Sequence, residues 1–141
     1  MFSLSTTHDR NQLNIIFRDH FDIRQGEQFY AQLKEMVPQL QKGFRVLTDM
    51  SSLGRIDLEA KKFLKESMEL LSRSGVSEVV RIIPDQSKDI GFNIMSLFHY
   101  PPGTRIHIYR SIQEANGHFS GKIPAADTCR REGEEIPEKA F

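Results

Sequence analysis

Phe2, Leu4 and Thr6 occupy alternate positions before a polar run over 8–12, and Leu13, Ile15 and Phe17 alternate after it. That period of two predicts a pair of edge strands joined by a turn. From Asp22 the spacing lengthens. Phe29, Leu33, Met36, Val37 and Leu40 recur at three- and four-residue steps, the pattern of a helix with one buried face. Asp22 and Gln25 have the spacing of a capping box, Gly43 supplies a stop, and Pro38, which lacks an N–H, should loosen the last turn.

A short apolar run over 44–47, ending at Asp49, predicts a buried parallel strand, and 50–56 is expected to be a loop. Beyond Asp57, the residues Leu58, Ala60, Phe63, Leu64, Ser67, Met68 and Leu71 fall on one helical face, and Gly75 ends that helix. Val76, Val79, Val80, Ile82 and Ile83 predict a third core strand that stops at Pro84. The segment 88–99 predicts a further helix, with more apolar residues than one buried stripe requires. The run 105–109 predicts a last strand, and Ser111 with Glu114 forms a second capping box that opens a short helix to about Phe119. Gly, Pro, Glu and Arg dominate from 120 onward, which predicts a mobile tail over 120–141 behind a single domain over 1–119.

An antiparallel N-terminal edge followed by alternating helices and buried strands defines an α/β sheet of about five strands, mostly parallel, with about four helices. Ligand and partner sites in such sheets lie beyond the carboxyl ends of the strands. Those positions are 49–57, 84–89 and 110–111.

Composition narrows the function further. The chain has 141 residues, with 19 basic residues set against 19 acidic ones. A formal net charge of zero gives no global field to attract nucleic acid or anionic lipid. No apolar stretch approaches a membrane span, and the single cysteine, Cys129, cannot close an intrachain disulfide. A cytoplasmic setting is expected from that cysteine usage.

The usual catalytic signatures are missing. The sequence holds no G-x-S-x-G, no phosphate-binding loop and no G-x-G-x-x-G. The five histidines, His8, His20, His99, His107 and His118, show no H-x-x-x-H or H-x-H spacing, so no metal and no cofactor are expected. His107 reads as a packed strand residue. Cys129 sits beside Arg130 and Arg131, yet no activating base is apparent, and no catalytic residue is assigned. Structurally, Asp57 is expected to cap the helix that follows, with Glu59 complementing the dipole of its first turn. Asp49, Asp57 and Glu59 are expected to converge at one end of the sheet.

The stretches GFRVLTDMSSLGRID, SGVSEVVRII and RIHIYRSIQEA, in this order and with a long amphipathic helix after Asp57, resemble the STAS superfamily, and within it the SpoIIAA-like branch of bacterial anti-sigma-factor antagonists. The likeness spans about residues 12–119. It implies a regulatory domain whose relatives carry a phosphorylatable serine at the start of that helix. Alignment of Asp49 and Asp57 with the two aspartates of the family motif sets Leu58, Glu59 and Ala60 on the serine, serine and glycine positions, so the phosphoacceptor is absent. Glu59 carries one negative charge where a phosphoserine carries nearly two. Ser51 and Ser52 are alternative acceptors, although serines are also ordinary turn residues.

The resemblance implies a non-enzymatic module that binds a regulatory protein through Asp49, Ser51, Ser52, Asp57 and Glu59. A competing expectation is a small apolar ligand or lipid held by Phe92, Met95 and Phe98, and the same surplus apolar residues would also suit a homodimer.

Overall fold

The computed structural model describes residues 1–83, 100, 103–119 and 129–131. Among these residues, six strands lie in one sheet in sequence order: β1 (Phe2–Thr7), β2 (Gln12–Phe21), β3 (Arg45–Ile56), β4 (Glu78–Ile82), β5 (Arg105–Tyr109) and β6 (Cys129–Arg131). The outer pairs β1/β2 and β5/β6 are antiparallel, and the three inner pairings are parallel. Helices α1 (Ile23–Met36) and α2 (Lys61–Arg73) cover one face, and α3 (Ile112–Phe119) packs on the other over β4 and β5.

The first five strands and the three described helices follow the order and sense expected from the hydrophobic pattern. The helix expected over 88–99 lies outside the described residues. Strand β6 has no counterpart in the expected pattern. Its three residues carry no alternation, and it exists by pairing with the edge of β5, where Cys129 stands opposite His107 in the register.

The strand periodicity sorts the core into two layers. Leu13, Ile15, Phe17 and Phe21 of β2 point toward α1 and α2, as do Val46 and Met50 of β3 and Val79 of β4. Phe17, Phe21 and Phe29 meet with ring centroids 5.0 to 6.0 Å apart, mostly edge to face, the arrangement that aromatic quadrupoles favour. On the opposite face Val80, Ile82 and Tyr109 close against Ala115 of α3.

Local signals set most helix ends. Asp22 Oδ1 accepts the Gln25 N–H at 2.9 Å, although the Gln25 side-chain oxygen is buried without a partner, so only half of the expected capping box forms. Helix α1 stops at Met36 and gives way to a 3-10 turn over Val37–Gln39, as Pro38 requires. Gly43 therefore belongs to the following turn, at φ +93°, and not to the helix end. The Ser111 hydroxyl accepts the Glu114 N–H at 3.2 Å, as the sequence predicts, while the Glu114 carboxylate reaches back one residue beyond the cap and accepts the Arg110 N–H at 3.2 Å.

Helix α2 ends in a Schellman motif. Gly75 donates to the Ser72 carbonyl at 3.2 Å and Val76 to the Leu71 carbonyl at 3.3 Å, with Gly75 at φ +94°. A Cβ on Gly75 would stand 2.5 Å from Lys42 Cγ. Gly75→Ala is expected to destabilise the protein by about 1–2 kcal/mol, the cost of a left-handed conformation for a residue with a Cβ. Urea unfolding should show a lower midpoint with an unchanged slope.

Candidate functional site

The carboxyl end of the sheet is shaped by the register between β2 and β3. Ile16 pairs with Asp49 and Arg18 with Ser52, so Met50 and Ser51 together stand opposite Phe17. A second irregularity follows, where Asp19 pairs with Leu53 and His20 with Arg55, which leaves Gly54 as the extra residue. Each bulge strips a backbone group of its ladder partner. Asp49 Oδ1 answers the first by accepting the Ser51 N–H at 2.9 Å. At the second, a Cβ on Gly54 would lie 3.3 Å from the Asp19 carbonyl oxygen, so a residue without a side chain suits this close approach.

The expected loop over 50–56 is therefore strand. Pairing with β4 ends at Asp49 and Ile82, whereas pairing with β2 continues to Phe21 and Ile56. Ser51 and Ser52 are exposed at the first bulge, and Asp49 is half-buried beside it. Ile16 and Phe21, the β2 partners of Asp49 and Ile56, are five residues apart, about 17 Å at the rise of a strand, and Asp57 lies one residue beyond Ile56. Asp49 thus stands apart from Asp57 and Glu59, and the three acids do not converge.

Asp57 does not cap a helix with its side chain. A 3-10 turn over Leu58–Ala60 intervenes before α2, and no side-chain capping bond forms there. The Asp57 carboxylate instead accepts from His20 Nε2 at 2.8 Å and lies 3.3 Å from Arg55 Nε. The His20 hydrogen bond, with the charges of His20 and Arg55, holds this carboxyl below its ordinary range against the opposing effect of burial. Leu58 is 77% exposed in the same turn, and Glu59 is exposed beside it. Phe92, Met95 and Phe98 lie outside the described residues.

A second polar cluster sits on the α3 face at the amino end of the parallel strands. Glu78 opens β4, His107 lies on β5 and His118 closes α3. Glu78 Oε2 is 3.3 Å from His107 Nε2 and 3.4 Å from His118 Nε2, while Glu78 Oε1 meets Arg45 Nε at 3.1 Å. His107 is fully buried, and its ring lies 4.3 Å from that of His118 between centroids. The Tyr109 hydroxyl is 2.7 Å from His118 Nδ1. Residues so far apart in sequence show no motif spacing. The available signal was the placement of Glu78 and His107 near the starts of adjacent predicted strands.

An α/β domain with an antiparallel N-terminal edge, a parallel centre and helices on both faces is the architecture of the STAS/SpoIIAA-like fold. Solved structures bear this out, although no protein-family model and no curated protein matches the chain. The unphosphorylated anti-sigma factor antagonist SpoIIAA superposes with a TM-score of 0.57 at 14% identity, covering 87% of this chain and all of that one. The phosphorylated form of SpoIIAA, a Bacillus cell fate determinant, gives 0.52 at 16% identity over 84% of this chain and 99% of its own. An uncharacterised DUF3478-family protein with a SpoIIAA-like fold from Shewanella loihica gives 0.59 at 15% identity, over 84% and 91% of the two chains. At these identities the likeness is one of fold.

The cluster at the amino end makes stability depend on pH. His107 beside it, then the charges of His118 and Arg45, hold the Glu78 carboxyl down from 4.5 to about 2, although its burial works the other way. Burial first, and then His107, lower the His118 pKa from its ordinary 6.5. Both groups bind protons more weakly in the folded state, so the unfolded chain takes them up first as the pH falls. Stability contributed by Glu78 is present above about pH 4.5 and is lost between there and about pH 2. His118 adds a loss that begins near pH 6.5. Denaturant unfolding of the metal-free protein from pH 7 to pH 2 should trace this decline, and Glu78→Gln should flatten its part below pH 4.5.

Proposed function

We propose that this chain is a non-enzymatic regulatory module that docks another protein at the turn between β3 and α2. The observation that carries the reading is Leu58, a large apolar side chain left 77% exposed between Asp57 and Glu59. An apolar centre within a polar rim is the usual anatomy of a protein interface. Ser51, Ser52 and Asp49 lie further back on β3 and would form the outer part of the same face, within the span of an ordinary protein interface.

The fold shared with an anti-sigma factor antagonist supports a regulatory role. The charge at the turn supports a role that is not switched by phosphorylation there, because Glu59 is a permanent single charge. Asp57 adds little free charge to the partner, since His20 and Arg55 already hold it.

Affinity capture from cell extract, quantified by mass spectrometry, tests the reading. Wild-type protein should retain a specific protein that Leu58→Asp and Glu59→Ala lose by about tenfold or more, the loss that a hot-spot change of about 1.4 kcal/mol or more produces. Equal retention by wild type, Leu58→Asp, Glu59→Ala and Asp57→Ala would exclude this face as the docking site.

A further inference from the structure

We propose that Glu78, His107 and His118 form a binding site for a divalent transition metal ion of the zinc type. One potential ligand atom from each residue lies within 4.8 Å of the others. The two contacts made by Glu78 Oε2, at 3.3 and 3.4 Å, are longer than charge-assisted hydrogen bonds of about 2.7–2.9 Å. They match the edge of a tetrahedron, about 3.3–3.4 Å, built on metal–ligand bonds of about 2.0–2.1 Å. The carboxylate oxygen is therefore spaced from both imidazoles as one ligand is from another around a common centre, and all three groups lie close enough to share it.

The polar accounting points the same way. Both ring nitrogens of His107 are buried without a well-formed hydrogen bond, Nε2 having only the 3.3 Å contact with Glu78 Oε2, although buried polar atoms are nearly always satisfied. An ion held by His107 Nε2, His118 Nε2 and Glu78 Oε2 would give one of those nitrogens its partner. The surroundings also orient the other two ligands. Arg45 occupies Glu78 Oε1 and leaves Oε2 for the ion, and the Tyr109 hydroxyl fixes the His118 ring through Nδ1, the kind of outer contact that positions a metal-binding imidazole. Two imidazoles and one carboxylate suit zinc and its neighbours better than calcium or magnesium, which favour all-oxygen sites. Three protein ligands leave the fourth corner of the tetrahedron to water.

Side-chain exposures of 0% for His107, 7% for His118 and 12% for Glu78 place the site in a largely dry setting. The Arg45 guanidinium opposes a cation, and its effect falls on the oxygen that the ion does not use. This site stands at the other end of the sheet from the docking turn and does not depend on that reading.

Zinc sulfate titrated into the chelator-stripped full chain, followed by calorimetry, tests the proposal. Saturable binding of one ion is expected, with a rise in melting temperature. Cobalt should give the intense visible bands of tetrahedral coordination. Glu78→Gln and His118→Ala should each weaken binding by more than about 100-fold and Tyr109→Phe by about tenfold, whereas His20→Ala, at an exposed histidine elsewhere, should bind as wild type does. Imidazole nitrogen resonances of His107 and His118 in the wild-type protein give a readout that does not depend on any variant folding, and both should shift at one equivalent of zinc. Absence of saturable binding, unmoved resonances of these two rings, or affinity that survives both Glu78→Gln and His118→Ala would overturn the site.

Discussion

The parallel pairing of β2 with β3 is the constraint on which the rest of the molecule depends. Strand β2 keeps its period of two, sending Leu13, Ile15, Phe17 and Phe21 into the core. Strand β3 must bury Val46, Met50 and Leu53 on the same side, and the step from 50 to 53 breaks that period. Two bulges reconcile the strands, and each needs a local answer: the Asp49 side chain at Ser51, and a glycine at position 54 where the Asp19 carbonyl comes close. Bulges increase the local twist. Because β2 and β3 stay paired to Phe21 and Ile56, this register also fixes where α1 and the turn before α2 begin. The Asp57 N–H bonds to the Phe21 carbonyl at 2.9 Å and seals that end.

Helix packing follows from the same constraint. A Cβ on Gly26 of α1 would come within 3.3 Å of the side chains of Ala60 and Phe63, so α1 and the start of α2 approach as closely as their backbones and small residues allow. Behind that contact the Phe2, Phe17, Phe21 and Phe29 rings fill the space between β1, β2 and α1. Removal of a buried phenylalanine from such a cluster costs about 3–5 kcal/mol, through lost transfer energy and the cavity left behind. Strand β1 adds Phe2 to this cluster and protects the edge of β2.

Much of this architecture was legible wherever one residue and its immediate neighbours decide the outcome. Asp22, Pro38, Gly75 and the Ser111–Glu114 pair each act within a few residues, and each behaves much as its chemistry predicts. The second half of β3 was not legible, because the buried residues at 46, 48, 50 and 53 and the half-buried one at 56 do not alternate once the bulges intervene, and Ser51, Ser52 and Gly54 have turn chemistry. Asp57 departs from its expected role for a different reason. Its sequence position is that of a helix cap, but His20 and Arg55, brought up by the β2/β3 register, offer stronger charged partners. Glu78, His107 and His118 were invisible as a group because their proximity is created by two adjacent strands and the end of a helix.

The two polar clusters share one element, since Arg45 at the start of β3 contacts Glu78 and Asp57 directly follows its last residue. Mechanical continuity through a strand would join them, but both bulges lie between. A bulge already holds one residue outside the ladder, so a shift at one end can be absorbed by changes in twist and not passed along as a change of register. The register itself resists sliding, because a one-residue slip would turn the apolar side chains of β3 away from the core. The fold therefore keeps the amino-end cluster and the docking turn on a common strand while leaving each free to carry its own chemistry.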